Sequence, residues 1–391
     1  VNETSYQALY LHIPFCRSKC AYCDFDSRAF APCELDAALD AYCVQLEGLL
    51  DKHGKAGELD QVATVYIGGG TPSIMGERLP RLVRRVCAYC NPVEFTCEAN
   101  PESFTPRQAR ELRDAGVTRI SLGIQSLNAV ELKILGRIHS AEEALEALEL
   151  AKRNGFSTSC DLMCALPGQT YESWRTTLAR IIAAAPDHVS VYPLQVEGGT
   201  PLARLEEAGK IDIPDEDFQA LCMEEAAKQL RAAGYARYEV ASYAKPGHRC
   251  QHNIAYWTGK PYLGLGRSAS SMRHVASERT NDVSEDGAHR PFVRERFTQL
   301  DDAGTRFDRE ILMPREAYAE DLMLACRMTD GIPRNLLERA EAYIPSAELK
   351  AACARAVALE LATWRNELLC PTQQGWLCGN ELYGLFWDLA E

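Results

Sequence analysis

The 391-residue sequence contains no apolar run of roughly 18 residues or more, so no ordinary transmembrane helix is expected. Nor does a charged and apolar leader precede its first strand-like segment. Basic residues are in deficit: 42 Lys and Arg stand against 55 Asp and Glu, a formal net charge of -13. Phosphate-rich surfaces are bound by clustered Lys and Arg. Nucleic acid and anionic membranes are therefore not expected partners, and an anionic ligand must find a local basic patch. There is no low-complexity tract, and no internal repeat beyond alternating strand and helix patterns. The sixteen cysteines are scattered through a long chain, unlike a small secreted disulfide framework. Reduced thiols in a cytoplasmic protein are the expectation.

One group of those cysteines is not scattered. Cys16, Cys20 and Cys23 form a C-x3-C-x2-C triplet just after an apolar segment, in Tyr10-Leu-His-Ile-Pro-Phe-Cys-Arg-Ser-Lys-Cys-Ala-Tyr-Cys-Asp-Phe25. Clusters that only carry electrons usually have every iron ligated by cysteine. Three thiolates with no fourth nearby can hold three irons of a cubane and leave one open to a small molecule. The alternatives are a structural zinc site, which would want a fourth Cys or His, and three incidental thiols. Cys87-x2-Cys90 and Cys160-x3-Cys164 read as helix-face or strand filler, because free Cys is commonly buried as a small hydrophobe.

Strand-like runs at Ala8 to Ile13, Val62 to Ile67, Glu94 to Glu98, Thr118 to Ile124, Ser157 to Met163 and His188 to Leu194 alternate with helical patterns. The helices are Leu35 to Leu50, Glu77 to Ala88, Pro106 to Ala115, Ala141 to Arg153 and Tyr171 to Ala184. Thr105 and Ser140 are expected N-caps, and Gly116 and Gly155 helix stops. Repeated strand-then-helix units imply a parallel sheet, either an open doubly wound one or a partial barrel. In such folds function collects at the carboxyl ends of the strands. Those ends carry the cysteines, Gly68-Gly-Gly-Thr-Pro72, Glu98-Ala-Asn100, Gly123-Ile-Gln125, and Asp161 through Thr170, all facing one mouth. Beyond Leu194, Asp215 to Ala233 reads as helix and Tyr238 to Ala241 as a short strand. The division expected is a barrel with an extension over 1–275, a linker over 276–306, and a mostly helical domain over 307–391, with helices at Ala317 to Arg327, Arg334 to Ala342 and Ala347 to Leu361.

The cysteine triplet resembles that of the radical S-adenosylmethionine enzymes. His12-Ile-Pro-Phe-Cys16, Gly68 to Pro72, Ile120-Ser-Leu-Gly-Ile-Gln125, Leu135-Gly-Arg-Ile-His139 and Asp161 to Thr170 are similar to the HemN-like family, that of oxygen-independent coproporphyrinogen III oxidase. The resemblance covers nearly the whole chain. It implies an α/β fold, a partial (β/α)6 TIM-like barrel with a smaller helical C-terminal domain, and a [4Fe-4S] cluster on Cys16, Cys20 and Cys23. It implies that Gly69, Gly70 and Thr71 contact the methionine moiety of S-adenosylmethionine, Glu98 and Arg137 its amino acid end, and Gln125 and Asp161 its ribose or nearby. Tyr22 would shield the cluster or touch the adenine, and Tyr10 and His12 would point into the same cavity. The implied chemistry is one-electron cleavage of a carbon-sulfur bond, giving methionine and a 5'-deoxyadenosyl radical, with the protein supplying position and shielding.

Within that family the oxidases carry a further cysteine two residues after the triplet and usually a longer N-terminal arm. Phe25 stands at that place here, with nine residues before Tyr10. Cys23-Asp-Phe25 and His252-Asn-Ile-Ala-Tyr256-Trp257 look instead like the HemW group of heme chaperones. That resemblance implies heme near His252, Tyr256 and Trp257, heme-accepting hemoproteins as partners, and an electron donor to the cluster. An imidazole can ligate heme iron, aromatics can stack on a macrocycle, and Lys245, His248, Arg249 and Lys260 could meet the propionates. The alternative from the residues themselves is that His252 hydrogen-bonds within a structural turn while Tyr256 and Trp257 pack the barrel wall. Decarboxylation in porphyrin biosynthesis is the competing function.

Overall fold

The computed structural model describes residues 5–30, 32–276 and 292–391. Six parallel strands form its centre: β1 (Ala8–Ile13), β2 (Thr64–Gly69), β3 (Glu94–Ala99), β4 (Arg119–Gln125), β5 (Ser157–Cys164) and β6 (His188–Pro193). They neighbour one another in chain order, and each pair is parallel. Helices cross between them: α1 (Pro32–Lys55), α2 (Arg78–Cys87), α3 (Pro106–Ala115), the short α4 (Ala129–Ile134), α5 (Ala141–Arg153) and α6 (Tyr171–Ala184).

Local chemistry sets these boundaries. Thr105 accepts a hydrogen bond from the Gln108 N–H, Pro106 opens α3 where no N–H is needed, and Gly116 ends it at φ 118°. Ser140 and Glu143 form a reciprocal capping box on α5. Strand faces then pack on helix faces in one continuous core that includes Leu9, Leu11, Val65, Ile67, Phe95, Ile120, Leu148 and Trp174.

Beyond β6, helices α7 (Pro201–Glu207) and α8 (Glu216–Ala232) precede β7 (Ala236–Arg237) and β8 (Ser242–Ala244). The strand expected at Tyr238 to Ala241 is therefore displaced. Buried Glu239 interrupts it, bridging across to Met328 and accepting from the Ala241 N–H. Helix α9 (Gln251–Trp257) follows, then β9 (Tyr262–Leu265), parallel to β1. From there β10 (Ser270–Ala276), β11 (Phe292–Gln299) and β12 (Phe307–Leu312) extend the sheet antiparallel. The resulting order is β12-β11-β10-β9-β1-β2-β3-β4-β5-β6-β8-β7.

Residues 292–299, expected within a linker, are thus a strand, and β12 belongs to the same sheet. Most of the polar stretch 276–290 lies outside the described residues. The error has a physical origin. Both extra strands are rich in charge, as in Phe-Val-Arg-Glu-Arg-Phe-Thr-Gln, and show no apolar alternation. Their charges are instead matched in three dimensions: fully buried Arg294 donates to Glu320 and Asp321, and Arg296 pairs with Glu310 and Glu320. The chain then builds a second apolar core from α10 (Pro314–Ala325), α11 (Arg334–Ala340), α12 (Ser346–Ala358) and the residues around Leu382 and Phe386. A small antiparallel sheet of Ile332–Pro333, Leu368–Pro371 and Ala362–Arg365 accompanies it.

Candidate functional site at the carboxyl ends of the strands

The carboxyl ends of the central strands surround a cavity of about 340 Å³. Cys16, Cys20, Cys23, Tyr22, Gly69, Gly70, Thr71, Glu98, Gln125, Arg137 and Asp161 all line it. Five sequence segments, running from Cys16 to Asp161, are brought together as the strand-end argument required.

The cysteine loop is tied down by backbone. Phe15–Cys16 pairs with Arg28–Ala29, Gly70 and Thr71 donate to the carbonyls of Ile13 and Phe15, and the Ala21 N–H donates to Leu135. All three thiols are free, with Cys16 buried and Cys20 and Cys23 half-buried. Burial pushes the Cys16 and Cys23 thiols up from the ordinary range. The Thr71 hydroxyl and an Arg137 guanidinium N–H each lie 3.5 Å from a sulfur, Cys16 and Cys20 respectively. Among the described residues no three His, Cys, Asp or Glu side chains close around one point.

Gly70 shows how closely the loop approaches. A Cβ there would lie 2.9 Å from Cys16 Sγ and 2.6 Å from the Phe15 carbonyl. Gly69, at φ 114°, would bring a Cβ to 2.7 Å from the His12 ring. Only glycine lets this backbone run beside the sulfurs. Arg137 is clamped on Asn100 Oδ1 at 2.9 Å and the Gly123 carbonyl at 2.5 Å, yet its Nε is buried without a partner. Glu98 receives the Tyr66 hydroxyl at 2.8 Å and the Gly69 N–H at 3.1 Å. Its burial outweighs those bonds and pushes its pKa up to about 7. Burial likewise raises Asp161, against hydrogen bonds from Ser190 and Ser121.

The glycine cradle, the vacant guanidinium donor and the paired buried carboxyls fit an amino acid group and a cluster held beside it. Cys16, Cys20 and Cys23 would hold the cluster; Gly69, Gly70, Arg137 and Glu98 would hold the amino acid end.

Tyr10 and His12 do not enter the cavity. The Tyr10 hydroxyl lies 3.0 Å from His12 Nδ1, and His12 Nε2 lies 3.2 Å from the Asp26 carbonyl, so the pair braces the cysteine loop from behind. The other departure concerns the heme expectation. His252 is 1% exposed, its Nδ1 lies 3.1 Å from the Thr64 hydroxyl, and its Nε2 lies 3.3 Å from the Tyr256 hydroxyl. Burial lowers its pKa to about 3, so the ring is neutral, one nitrogen donating and the other accepting. Tyr256 packs edge-on against His252 and Tyr262, and Arg327 covers Trp257. This is the wall-packing arrangement. An axial role for His252 requires both hydrogen bonds to break.

Tyr66, Arg119, Ser159, His188 and Cys250 also line the cavity and were not singled out from sequence, while Ser121 and Asn253, which line it too, were named only within longer motifs. The strand residues had a legible signal: stepping back in twos reaches Tyr66 from Gly68, Ser121 and then Arg119 from Gly123, and Ser159 from Asp161, on the same faces. Cys250 carried none, because only the fold brings α9 beneath the sheet.

Residues 10–181 match the radical SAM superfamily. The chain is 35% identical over 347 residues to the heme chaperone HemW of Mycobacterium tuberculosis, covering 86% of each chain. It is 30% identical over 389 residues to that of Bacillus subtilis, covering 97% of this chain and 99% of the relative. The structure of coproporphyrinogen III oxidase (HemN) from Escherichia coli superimposes with a TM-score of 0.78 at 21% identity, covering 98% of this chain and 90% of the other. That likeness establishes the barrel architecture. By sequence, the chain belongs to the HemW family of the radical SAM superfamily.

Proposed function

We propose that the protein is a cytoplasmic heme chaperone: it binds a [4Fe-4S] cluster, S-adenosylmethionine and heme, and passes heme to acceptor hemoproteins. The observation that carries this reading is the end-to-end match to proteins named heme chaperone HemW, 86% of each chain in one case and 97% and 99% in another. Phe25, 61% exposed beside the cysteines, supports it, since the oxidases carry a further cysteine there.

When bound, the cluster would supply one-electron chemistry at the sulfonium, with the electron coming from a separate donor. The protein's own groups do the positioning. Arg137 offers its unpartnered Nε to the ligand carboxylate while its Nη1 lies against Cys20, so one cation serves both the thiolate and the ligand. Glu98, fixed by Tyr66 and Gly69, presents its remaining lone pairs to an ammonium group. Asp161 and Gln125, which line the same cavity, would meet the ribose or groups near it. Heme engages the α9 segment once His252 leaves Thr64 and Tyr256.

Anaerobic reconstitution followed by heme titration and product analysis tests the reading. Heme uptake without porphyrinogen turnover is expected. Formation of protoporphyrinogen from coproporphyrinogen III would overturn it in favour of the oxidase function. Replacement of Cys16, Cys20 and Cys23 by Ala is expected to abolish the cluster absorption, and retention of four irons would remove the ligand assignment.

A further inference from the structure

The base of the cavity holds a buried cation that Glu94 balances through space but that no ion pair among the described residues engages. Arg119, the first residue of β4, is 3% exposed and lines the cavity. Its guanidinium makes a single hydrogen bond, from Nη1 to the His248 carbonyl at 3.1 Å, and forms no ion pair with any described residue. A buried guanidinium with most of its five donors unspent is costly unless an acceptor completes it.

The acids around it are committed elsewhere. Glu94 caps α9, accepting from the N–H groups of Gln251 and His252 at 3.0 Å each and from the Cys250 thiol. Glu98 is taken by Tyr66 and Gly69 and Asp161 by Ser121 and Ser190; burial raises both carboxyls, with the Arg119 charge acting against that rise at Asp161. His188, also at the base, is a neutral ring fixed between the Ser159 hydroxyl at 2.8 Å and the Tyr238 hydroxyl at 2.9 Å. It neither competes for an anion nor repels one. The remaining lining is short and polar: Ser121, Ser190 and the Asn253 amide.

We propose that the base of the cavity is a second ligand subsite, specific for a carboxylate held by Arg119. A planar guanidinium with paired free N–H groups matches the two oxygens of a carboxylate, and the Asn253 amide lines the same cavity as a further donor. The cavity lies at the small end of the roughly 300–1,000 Å³ range of ligand pockets. The group that reaches Arg119 is therefore a small free carboxylic acid or the propionate arm of a larger molecule, not a whole macrocycle. The site is formed by the fold alone and does not depend on the cluster.

Calorimetric titration of the full chain with sodium propionate and with the neutral, near-isosteric propionamide tests the subsite. Propionate is expected to bind and propionamide not to. Arg119→Gln should weaken propionate roughly ten- to a hundredfold, the range for a charge-assisted hydrogen-bonded pair, with Arg119→Lys partly restoring it. Asn253→Met, which fills the same base from α9, should weaken it too and stands in if the Arg119 variants do not fold. A parallel titration with heme and heme dimethyl ester distinguishes the sources. If free propionate does not bind but heme outbinds its ester in an Arg119-dependent way, the occupant is a tetrapyrrole propionate. Equal behaviour of acid and amide, together with a heme-to-ester ratio that is one or is unchanged in Arg119→Gln, overturns the proposal.

Discussion

Arg137, at the carboxyl end of the strands, keeps a buried N–H without a partner, whereas His252, packed beneath their amino ends, has both ring nitrogens engaged. The contrast extends to their neighbours. Around Arg137 lie glycines pressed against sulfur and a carboxyl pushed up to about 7. Around His252 lie a capped helix, a ring column and a wall of satisfied hydroxyls. A preformed site leaves polar groups waiting for a ligand, while a closed one has spent them. The upper site is thus ready to bind, and the α9 segment must open first. Tyr66 touches both, its hydroxyl on Glu98 and its ring 5.3 Å from that of His252.

The hardest test of the ready site is Gly70→Ala. The added methyl has nowhere to go, since backbone oxygens on two sides and Cys16 Sγ on a third lie at 3.0 Å or less. Reconstituted iron per chain should fall to a small fraction of wild type, with stability lowered by about 2 kcal/mol or more. Full iron loading with an unchanged melting temperature would mean that the loop is not held as described.

Glu98 gives a pH signature. Its folded pKa, about 7, stands above the ordinary glutamate value of 4.5. The unfolded chain therefore sheds the proton first, and folding stability falls as pH rises between those values. The stabilisation is fully present below about pH 4.5 and lost as pH passes 7, a change of about 3 kcal/mol. Glu98→Gln should remove that contribution, so the change in stability between pH 5 and pH 7.5, read by chemical denaturation, should shift toward relatively greater stability at pH 7.5. If the variant keeps the slope, another group carries it. Arg137→Met comes next: S-adenosylmethionine affinity should drop roughly ten- to a hundredfold, measured by equilibrium binding. A loss of less than about threefold would say that Nε does not meet the carboxylate.

The same contrast explains what could be read in advance. The rim residues were legible because glycine runs, a cysteine triplet and isolated charges at strand ends have few packing explanations. The helices were legible where caps are local, as at Thr105, Ser140 and Gly116. Arg294 was not, because nothing within its own strand neutralises it; Glu320 and Asp321 arrive from α10. His252 could not be decided from sequence for a related reason. A histidine beside two aromatics has the composition of a heme site and of a packed wall alike, and the partner that decides, Thr64, lies 188 residues away.

Thr64→Val probes the closed end with the smallest change. It deletes the hydroxyl that holds Nδ1 and keeps the shape, leaving one buried nitrogen unpaired. The cost should be about 1–2 kcal/mol of stability, read by denaturant unfolding. If heme binding requires His252 to leave the wall, that same loss is no longer part of the opening cost, so heme affinity should rise severalfold in Thr64→Val and fall in His252→Ala. The two variants moving in opposite directions is the diagnostic, because simple structural damage would lower affinity in both. If neither changes heme affinity, the two ends are not linked through this helix. His252 is then a wall residue in the heme-bound protein as it is here.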